Sequence, residues 1–379
     1  MLLLSRARPV AFKHRLSPRR WLQTVSDPLR ILFCGSDLMS CKSLCALHRE
    51  LGPGRLVESL EVMVLPPGRV GRGGKELREV TCKTVAEGLK LPIHQRGTFT
   101  GWEVPAGTNL IVVVSFGLFV PPRILRSVKY GGVNVHPSFL PDLRGPAPIH
   151  RAMLRGDSHL GVSLQTLHES RFDHGVVLAQ TPAPGLMIQD CIGGVMSMAA
   201  EEGAQMLVRG LRQGLHVPPH RDAGWKGVEL EGQTLMHAPK VTKADSQIDW
   251  ARWTTVGDFH RHLRVFGSVW THVVSSMGQI RRLILRHVQR VPEDEDPVGI
   301  EGTICFQQDG ADGATRRDMT ARVDRNSGNC AVRLGSGGVW LRFDSAKMEG
   351  KNWQDAAQAL GPLLSGGVGR EKGGSAARG

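Results

Sequence analysis

Short apolar runs alternate with segments of helical periodicity through the first half of the chain. Ile31-Leu32-Phe33 is an apolar run that leads to Gly35, and apolar residues then recur at helical spacing from Leu38 to Leu51. The same pattern predicts strands at 57–65, 110–114 and 133–136, and helices at 76–89 and 148–154. This alternation predicts an α/β fold, a Rossmann-like doubly wound sheet with helices on both faces. Ligands of such sheets bind beyond the carboxyl ends of the strands.

The pattern continues to about residue 215 and is then interrupted. A half-buried strand at 162–167, its partner at 176–178 and a long helix at 190–215 are expected to complete a first domain. That domain is predicted to cover 29–215, and a polar linker at 216–234 follows it.

The pattern of the sequence changes after the linker. From 235 to 365, short strand-like runs are separated by Gly- and Asp-rich turns. This spacing predicts a small C-terminal β-barrel, OB-like in character. The tail at 366–379 is Gly-rich and polar and is expected to be disordered.

The N-terminal segment differs in composition from the rest. Between Met1 and Ser26 there are six Lys or Arg residues and no Asp or Glu, with apolar residues spread among them. This composition is typical of a mitochondrial transit peptide, with a disordered basic tail as the alternative. We therefore expect residues 1–28 to direct the protein to the mitochondrial matrix. No apolar run approaches the ~20 residues of a membrane-spanning helix, so no membrane partner is expected.

Net charge indicates the kind of partner that the chain favours, and cysteine content indicates whether a metal site or disulfides are expected. The chain carries a net charge of +13, of which the N-terminal segment supplies six, so the remainder favours polyanionic partners only moderately. The seven cysteines are scattered and include no CxxC pair. A structural zinc site is therefore not predicted, no other metal is expected, and all seven thiols are interpreted as reduced.

Asn134 and His136 are the first candidates for chemistry. They stand two residues apart at the end of a predicted strand, so their side chains point to the same side. Pro137 and Pro141 stiffen the loop that follows. An amide beside an imidazole suits polarisation of a carbonyl group or stabilisation of an oxyanion. Taken alone, such a pair is more often an ordinary hydrogen-bonded pair, and spacing does not separate the two interpretations.

The neighbouring residues resemble the signature of a known family. Asn134-Val135-His136, Ser138-Phe139-Leu140-Pro141 and Arg144-Gly145-Pro146-Ala147-Pro148-Ile149 are similar to the signature of the folate-dependent formyltransferases. Residues 112–118 resemble the strand and loop that line the folate pocket of that family. Phe172-Asp173-His174-Gly175 resembles the loop that carries its third catalytic residue.

The resemblance implies a catalytic set and a folate slot. Asn134 and His136 would donate hydrogen bonds to the oxyanion of the tetrahedral state. Asp173 would orient His136 and accept the proton of the amine. The co-substrate implied is 10-formyltetrahydrofolate. The residues expected to line its slot are Phe116, Gly117, Leu118, Ser138, Phe139, Leu140 and Pro141. Packing at the strand end is the alternative for Phe139 and Leu140.

A basic loop indicates which members of the family the chain resembles. Residues 66–75 are similar to the insertion by which members that act on methionyl-tRNA enter the acceptor end, and the second domain is similar to their extra barrel. The partners implied are methionyl-tRNA and a reduced folate, with the protein expected to be a monomer. The cations expected to contact tRNA are Arg69, Arg72, Lys75 and Arg78, with Arg72 the first choice. A solvated surface loop is the alternative.

Other interpretations have less support. Formyl transfer to a small amine such as glycinamide ribonucleotide does not account for the basic loop and the appended domain. A nicotinamide-dependent oxidoreductase would need the GxGxxG fingerprint, which is missing after the first strand. A binding module with an inactive first domain would not need Asn134, His136 and Asp173 together. In the barrel, Arg281, Arg282, Arg286 and Arg290 either cluster on one face or are merely solvated.

Overall fold

A computed structural model describes residues 26–71, 73–189, 191–224, 234–310, 313–335 and 338–368. Residues 1–25 of the predicted transit peptide lie outside these residues, and so does Arg72. The same holds for residues 225–233 of the predicted linker and 369–379 of the predicted tail.

The first half of the chain forms a seven-stranded mixed sheet covered by helices. Its elements in chain order are β1 (Leu29–Gly35), α1 (Leu38–Arg49), β2 (Val57–Val64), β3 (Gly68–Val70), β4 (Glu76–Arg78), α2 (Thr81–Gly88), β5 (Ile93–Gln95), β6 (Leu110–Val114), α3 (Pro122–Arg126), β7 (Gly132–His136), α4 (Pro148–Arg155), β8 (His159–Leu160), β9 (Ser163–Thr166), β10 (Val177–Gln180), β11 (Leu186–Met187) and α5 (Ile192–Arg212). The strand order is β10-β9-β7-β6-β1-β2-β5. The five strands from β7 to β5 are parallel, and β9 and β10 are antiparallel additions. The predicted doubly wound α/β fold is confirmed.

Strand β1 shows why its sequence is a continuous apolar run. Ile31 and Phe33 face the core under α1 and α5, whereas Leu32 and Cys34 face a second core on the other side of the sheet. A parallel strand buried on both faces needs apolar residues at every position.

Two glycines bring the long helix α5 close to the sheet. A Cβ atom on Gly203 would lie 2.6 Å from Val135 Cγ1, and one on Gly210 would lie 2.5 Å from Leu164 Cδ2. The helix therefore packs tightly on β7 and β9, the two strands that carry the candidate site.

The predicted helix at 76–89 is wrong at its start. Residues 76–78 form β4, which pairs with β3 in a hairpin, and helix α2 begins only at Thr81. Val80 is extended, with a ψ of 140°, and precedes the first helical residue. The backbone of 76–78 makes its hydrogen bonds across the hairpin, which excludes a helix there.

The second half forms a closed barrel. Its helices and strands are α6 (Val256–Phe266), β12 (Val269–Val274), β13 (Ile280–Arg290), β14 (Ile300–Gly310), β15 (Gly313–Asp324), β16 (Asn329–Leu334), β17 (Val339–Met348), β18 (Gln354–Asp355), α7 (Ala356–Leu360) and β19 (Ser365–Val368). Six antiparallel strands close in the order β12-β13-β17-β16-β15-β14, with β14 pairing back to β12. The predicted C-terminal β-barrel is confirmed. The predicted tail begins inside β19, which pairs with β14.

The two halves are joined by a half-buried ion pair. Arg151 on α4 donates to both carboxylate oxygens of Asp245, at 2.6 and 3.2 Å, and to the carbonyl oxygen of Pro239 at 3.0 Å. Both side chains are less than a fifth exposed. Because a partly buried bidentate pair fixes orientation as well as distance, it ties α4 to the chain that leads into the barrel.

Within the described part of the chain, no helix is long and apolar enough to cross a lipid bilayer. All seven cysteines are free.

Candidate active site

Strands β7 and β9 place four polar side chains in two adjacent rows. Asn134 lies opposite Gln165, and His136 lies opposite Ser163, in the antiparallel register of the two strands. Since alternate residues of a strand share a face, all four side chains point to the same side of the sheet. This is the carboxyl end of β7, where a doubly wound sheet binds its ligands.

The loop between β9 and β10 brings Asp173 to this pair. Its Oδ1 lies 3.4 Å from Asn134 Nδ2 and 3.4 Å from His136 Nδ1. Its Oδ2 accepts the backbone N–H of Gly145 at 3.0 Å. The Asp173 side chain is 11% exposed, so these contacts are made largely out of water. The structure therefore brings the three predicted catalytic residues together.

The backbone of Asp173 is itself unusual. Its φ is +55°, in the left-handed region that non-glycine residues rarely occupy. Such a conformation costs on the order of 1 kcal/mol and persists only where neighbours enforce it. Backbone strain of this kind is common at functional sites.

The imidazole of His136 is buried and held at both nitrogens. Nε2 lies 3.0 Å from the carbonyl oxygen of Leu143, so Nε2 must carry a proton and donate it. Nδ1 is therefore the nitrogen that faces Asp173. The carbonyl of Leu143 fixes the plane of the ring, and the carboxylate of Asp173 is the group that Nδ1 faces.

Gln165, which was not among the predicted site residues, is a further partner of the carboxylate. Its Nε2 donates to Asp173 Oδ1 at 3.1 Å, and its Oε1 accepts the N–H of Gly175 at 3.2 Å. The side chain thus fixes both ends of the short turn that carries Asp173. Gln165 could have been found from the alternation of apolar and polar residues at 162–167, which places this polar side chain on one face of the strand.

Arg144 also belongs to this site. Its Nε donates to the carbonyl oxygen of Asp173 at 2.7 Å. Burial lowers the pKa of its guanidinium and nearby Arg171 adds to that effect, whereas Asp173 raises it. Arg144 is therefore not a simple surface cation, because its Nε holds the backbone of the Asp173 loop.

Three of the seven residues predicted to line a folate slot are buried supports. Ser138 donates from Oγ to the carbonyl of Asp142 at 2.7 Å, and Leu140 is bonded through its backbone to Ser163 and Gln180. Phe116 is 2% exposed and packs edge-on against Phe99. The other four predicted residues are more accessible; they are Gly117, Leu118, Phe139 and Pro141.

One of two cavities borders the loop of Asp173. The larger, of about 630 Å³, is lined by Pro122, Arg126, 166–170 and 174–176. The smaller, of about 280 Å³, is lined by 97–101, Leu118, Phe119, Pro121 and Arg123. Leu118 is the only predicted slot residue among the linings of these two cavities. The segment 166–176 supplies most of the larger one, although Asp173 was its only predicted site residue.

The predicted tRNA-binding cations stand on the β3–β4 hairpin. Arg69, Lys75 and Arg78 are all exposed, and Arg72 lies outside the described residues. Arg69 also donates to the carbonyl of Gly74 at 3.4 Å across the turn.

The barrel cations divide into two kinds. Arg282 lies over the ring of Trp270 at 4.3 Å, and Arg286 lies over the ring of Trp353 at 3.9 Å. Their positions on β13 alternate with the buried Leu283 and Leu285, so both point outward on one face of the barrel. The other two arginines have local partners: Arg281 bonds to Gln279 and Arg290 to Glu293. Two of the four therefore cluster on one face, each beside a tryptophan.

Among the described residues, no group of three or more His, Cys, Asp or Glu side chains is arranged to hold a metal ion. Asn134, His136 and Asp173 give the site an amide, an imidazole and a carboxylate.

Comparison with known proteins agrees with this arrangement. Residues 44–211 match the family model described as formyl transferase. A mitochondrial methionyl-tRNA formyltransferase of Saccharomyces cerevisiae is 33% identical over 60% of this chain and 65% of its own length. The one of Bos taurus is 34% identical over 64% of this chain and 58% of its own length. A methionyl-tRNA formyltransferase of Cereibacter sphaeroides is 32% identical over 70% of this chain and 84% of its own length.

The chain belongs to the formyl transferase family. It spans 65% of the yeast protein and 58% of the bovine protein. Among solved structures, WlaRD, a sugar 3N-formyl transferase, is 10% identical with a TM-score of 0.48, over 86% of this chain and 100% of that one. That similarity is too low to support an inference about the site.

Proposed function

We propose that the protein transfers the formyl group of 10-formyltetrahydrofolate to the amino group of methionyl-tRNA. The observation that carries the proposal is the meeting of Asn134, His136 and Asp173 within 3.4 Å at the carboxyl end of β7. An amide, an imidazole and a carboxylate together meet the needs of formyl transfer to an amine. The reaction requires a donor to the carbonyl oxygen and an acceptor for the proton of the amine.

The larger cavity is suited to a reduced folate. Its volume of about 630 Å³ lies in the usual range for small-molecule sites. Its lining includes the polar residues Thr166, His168, Glu169 and Ser170 and the apolar residues Pro122, Leu167 and Val176. Exposed backbone groups could bind the polar edge of a pterin while the apolar side chains cover its faces. The bound co-substrate supplies the activated formyl carbon.

Asn134 is proposed as the main donor to the developing oxyanion. Its amide nitrogen carries two N–H groups, and its described hydrogen bond to Asp173 uses one of them. A carbonyl oxygen placed beside Nδ2 would receive the second. Because the bond to Asp173 already orients the amide, little reorganisation is needed as charge develops.

His136 and Asp173 are proposed to control the proton. The Leu143 carbonyl fixes Nε2–H and leaves Nδ1 facing Asp173, so in the imidazolium form of His136 an Nδ1–H would be placed between Asp173 and the substrate oxygen. Asp173 takes the proton that the amine loses as its C–N bond forms, directly or through water. The bond between the formyl carbon and N10 of the folate then breaks as the carbonyl bond re-forms, and N10 keeps the electron pair and takes the proton that Asp173 accepted from the amine.

The tRNA is proposed to contact two basic surfaces. The first is the β3–β4 hairpin with the exposed Arg69, Lys75 and Arg78. The second is the barrel face with Arg282 and Arg286, where an arginine beside an indole suits a phosphate next to an unstacked base. Arg72 would add to the first surface.

We also propose that the protein acts in the mitochondrial matrix as a monomer. The yeast and bovine relatives are named mitochondrial. The six cations and the absence of acidic residues before Ser26 fit a matrix-targeting segment.

The test is a reaction of the purified full chain with 10-formyltetrahydrofolate and methionyl-tRNA, followed by deacylation. We expect formylmethionine that depends on both substrates. Glycinamide ribonucleotide and uncharged tRNA serve as competing acceptors in parallel reactions. Transfer to the small amine with none to methionyl-tRNA would overturn the proposal, as would no transfer to any acceptor.

A further inference from the structure

A short segment from the far side of the predicted linker runs alongside the signature loop. Met236–Ala238 pairs with residues 142–147 through three backbone hydrogen bonds. They run from Leu143 N–H to Met236 O at 2.8 Å, from Ala238 N–H to Arg144 O at 2.7 Å and from Ala147 N–H to Ala238 O at 3.1 Å. We refer to Met236–Ala238 as the strap and to 142–147 as the loop.

One carboxylate fastens the strap to the loop. Asp142 is 7% exposed, and its Oδ1 accepts the N–H of Met236 at 2.9 Å. Its Oδ2 accepts from Arg155 at 2.7 Å. A buried carboxylate with a donor on each oxygen is held firmly, because breaking either bond would leave an unpaired charge out of water.

The loop has a conformation that it would not keep by itself. Leu143 has a φ of +55°, which is unfavourable for a bulky side chain, and Gly145 has a φ of +123°. A Cβ atom on Gly145 would lie 2.6 Å from the carbonyl oxygen of Ala238 in the strap. Strained backbone of this kind persists only where its surroundings enforce it, and the strap is the element bonded directly to it.

The strained loop in turn holds the candidate catalytic residues. Leu143 O accepts from His136 Nε2 at 3.0 Å. Arg144 Nε donates to the Asp173 carbonyl at 2.7 Å, and Gly145 N–H donates to Asp173 Oδ2 at 3.0 Å. Three consecutive loop residues therefore each bind His136 or Asp173.

We propose that the strap is a positioning element for formyl transfer, with Asp142 as the side chain that fastens it. This inference rests on the proposed function. The strap sets the loop, and the loop sets the carboxylate of Asp173 and the ring plane of His136. The chain continues from the strap to Pro239 and Asp245, and Arg151 binds both residues. A shift of the C-terminal half of the chain would therefore move the strap and, through the loop, the site.

The first test compares Asp142→Ala with Asp142→Asn. The alanine variant loses the acceptor for Met236 N–H, whereas the amide oxygen of asparagine retains it. We expect kcat to fall about 10- to 100-fold in Asp142→Ala, the size of a misplacement near 1 Å, with both KM values unchanged. Asp142→Asn should recover most of that loss. A kcat close to wild type in Asp142→Ala would overturn the proposal, as would a loss that falls on KM alone.

Amide hydrogen exchange gives a readout that does not need activity. The Gly145 amide, which donates to Asp173, should exchange faster in Asp142→Ala than in wild type and in Asp142→Asn, while amides of β1 and β6 remain protected. Faster exchange throughout the sheet would mean general destabilisation and would contradict a local positioning role. If wild type transfers no formyl group, the proposed function fails and this exchange pattern still decides whether the strap holds the loop.

Gly145→Ala provides a second, independent variant. The added methyl group meets the strap carbonyl, so kcat should fall at unchanged KM. Gly131→Ala is the matched control, because Gly131 also has a positive φ, of +61°, but no atom lies within 4 Å of an added Cβ. Equal kcat losses in both variants would attribute the effect to backbone strain and contradict the strap.

Discussion

The carboxylate of the Asp173 site is largely buried, whereas the charged side chains of the β3–β4 hairpin are exposed. The Asp173 carboxylate is 11% exposed and is bonded to groups from two strands and a loop. The hairpin presents Arg69 and Arg78 to solvent on two strands of three residues each, and Lys75 on the turn between them. A reacting group has to be preorganised, whereas a group that meets phosphates has to be reachable. Substitutions in the first region should therefore act on kcat, and those in the second on the KM for tRNA.

The largest effect is expected where the amide is removed. Asn134→Ala should lower kcat about 10²–10³-fold, since one oxyanion donor is lost. His136→Ala should cost at least as much. Asn109→Ala is the control: Asn109 is also buried, but its bonds to Pro28 and Arg30 are structural, so it should lose thermal stability and retain kcat. Steady-state kinetics on folded variants would check this, and near wild-type turnover of Asn134→Ala would remove that residue from the mechanism.

A second large effect is expected from the turn that carries Asp173. A Cβ atom on Gly175 would lie 1.7 Å from the carbonyl oxygen of Thr166, so Gly175→Ala must move the turn. We expect a loss of about 10²-fold in kcat. Gly193→Ala, where nothing lies within 4 Å of the added atom, should leave kcat unchanged. Similar rates for wild type and Gly175→Ala would show that Asp173 need not be fixed.

An effect of the other kind is expected from the hairpin. Arg69→Ala combined with Lys75→Ala should raise the KM for tRNA roughly tenfold and reduce the salt dependence of binding by about one phosphate contact per cation. The kcat and the KM for folate should remain unchanged. Lys42→Ala on α1, which removes an exposed cation paired with Glu201, is the control. A fall in kcat without a change in the KM for tRNA would contradict the expectation that the hairpin acts only on tRNA binding.

The smallest effect is expected on the barrel. Arg286→Ala removes a guanidinium stacked on Trp353 and should raise the KM for tRNA a few-fold, since one cation positioned for a phosphate is lost. Arg290 lies on the same strand but pairs with Glu293, so Arg290→Ala should have less effect. Equal effects of the two variants would mean that total charge, and not the arginine–tryptophan pair, determines binding.

The sequence predicted the strands that position the site because their patterns are local. The apolar run at 110–114 and the Asn134–His136 spacing are confirmed as β6 and the end of β7. Helix α6 was not predicted, although Thr255 at its N-cap and Asp258 in its first turn form a capping box and Gly267 ends it in the left-handed conformation. Those local signals were available in the sequence.

The rest of the site depends on contacts between distant parts of the chain. The proximity of Asp173 to Asn134 could be expected only from family resemblance, because no periodicity links residues 39 positions apart. Gln165 and Gly145 matter through single hydrogen bonds to Asp173, and the strap lies more than 90 residues from the loop it holds. Such pairings are fixed by the packing of the whole fold.

The central claim is that the Asp173 carboxylate, held beside Asn134 and His136, takes part in formyl transfer to methionyl-tRNA. The most direct test is the single-turnover rate of Asp173→Asn with both substrates saturating, compared with wild type. Asparagine keeps the shape and an oxygen for the Gly145 N–H but removes the charge and the proton acceptor. We expect a rate at least about 10²-fold lower, with substrate binding retained. A single-turnover rate equal to that of wild type would contradict the account.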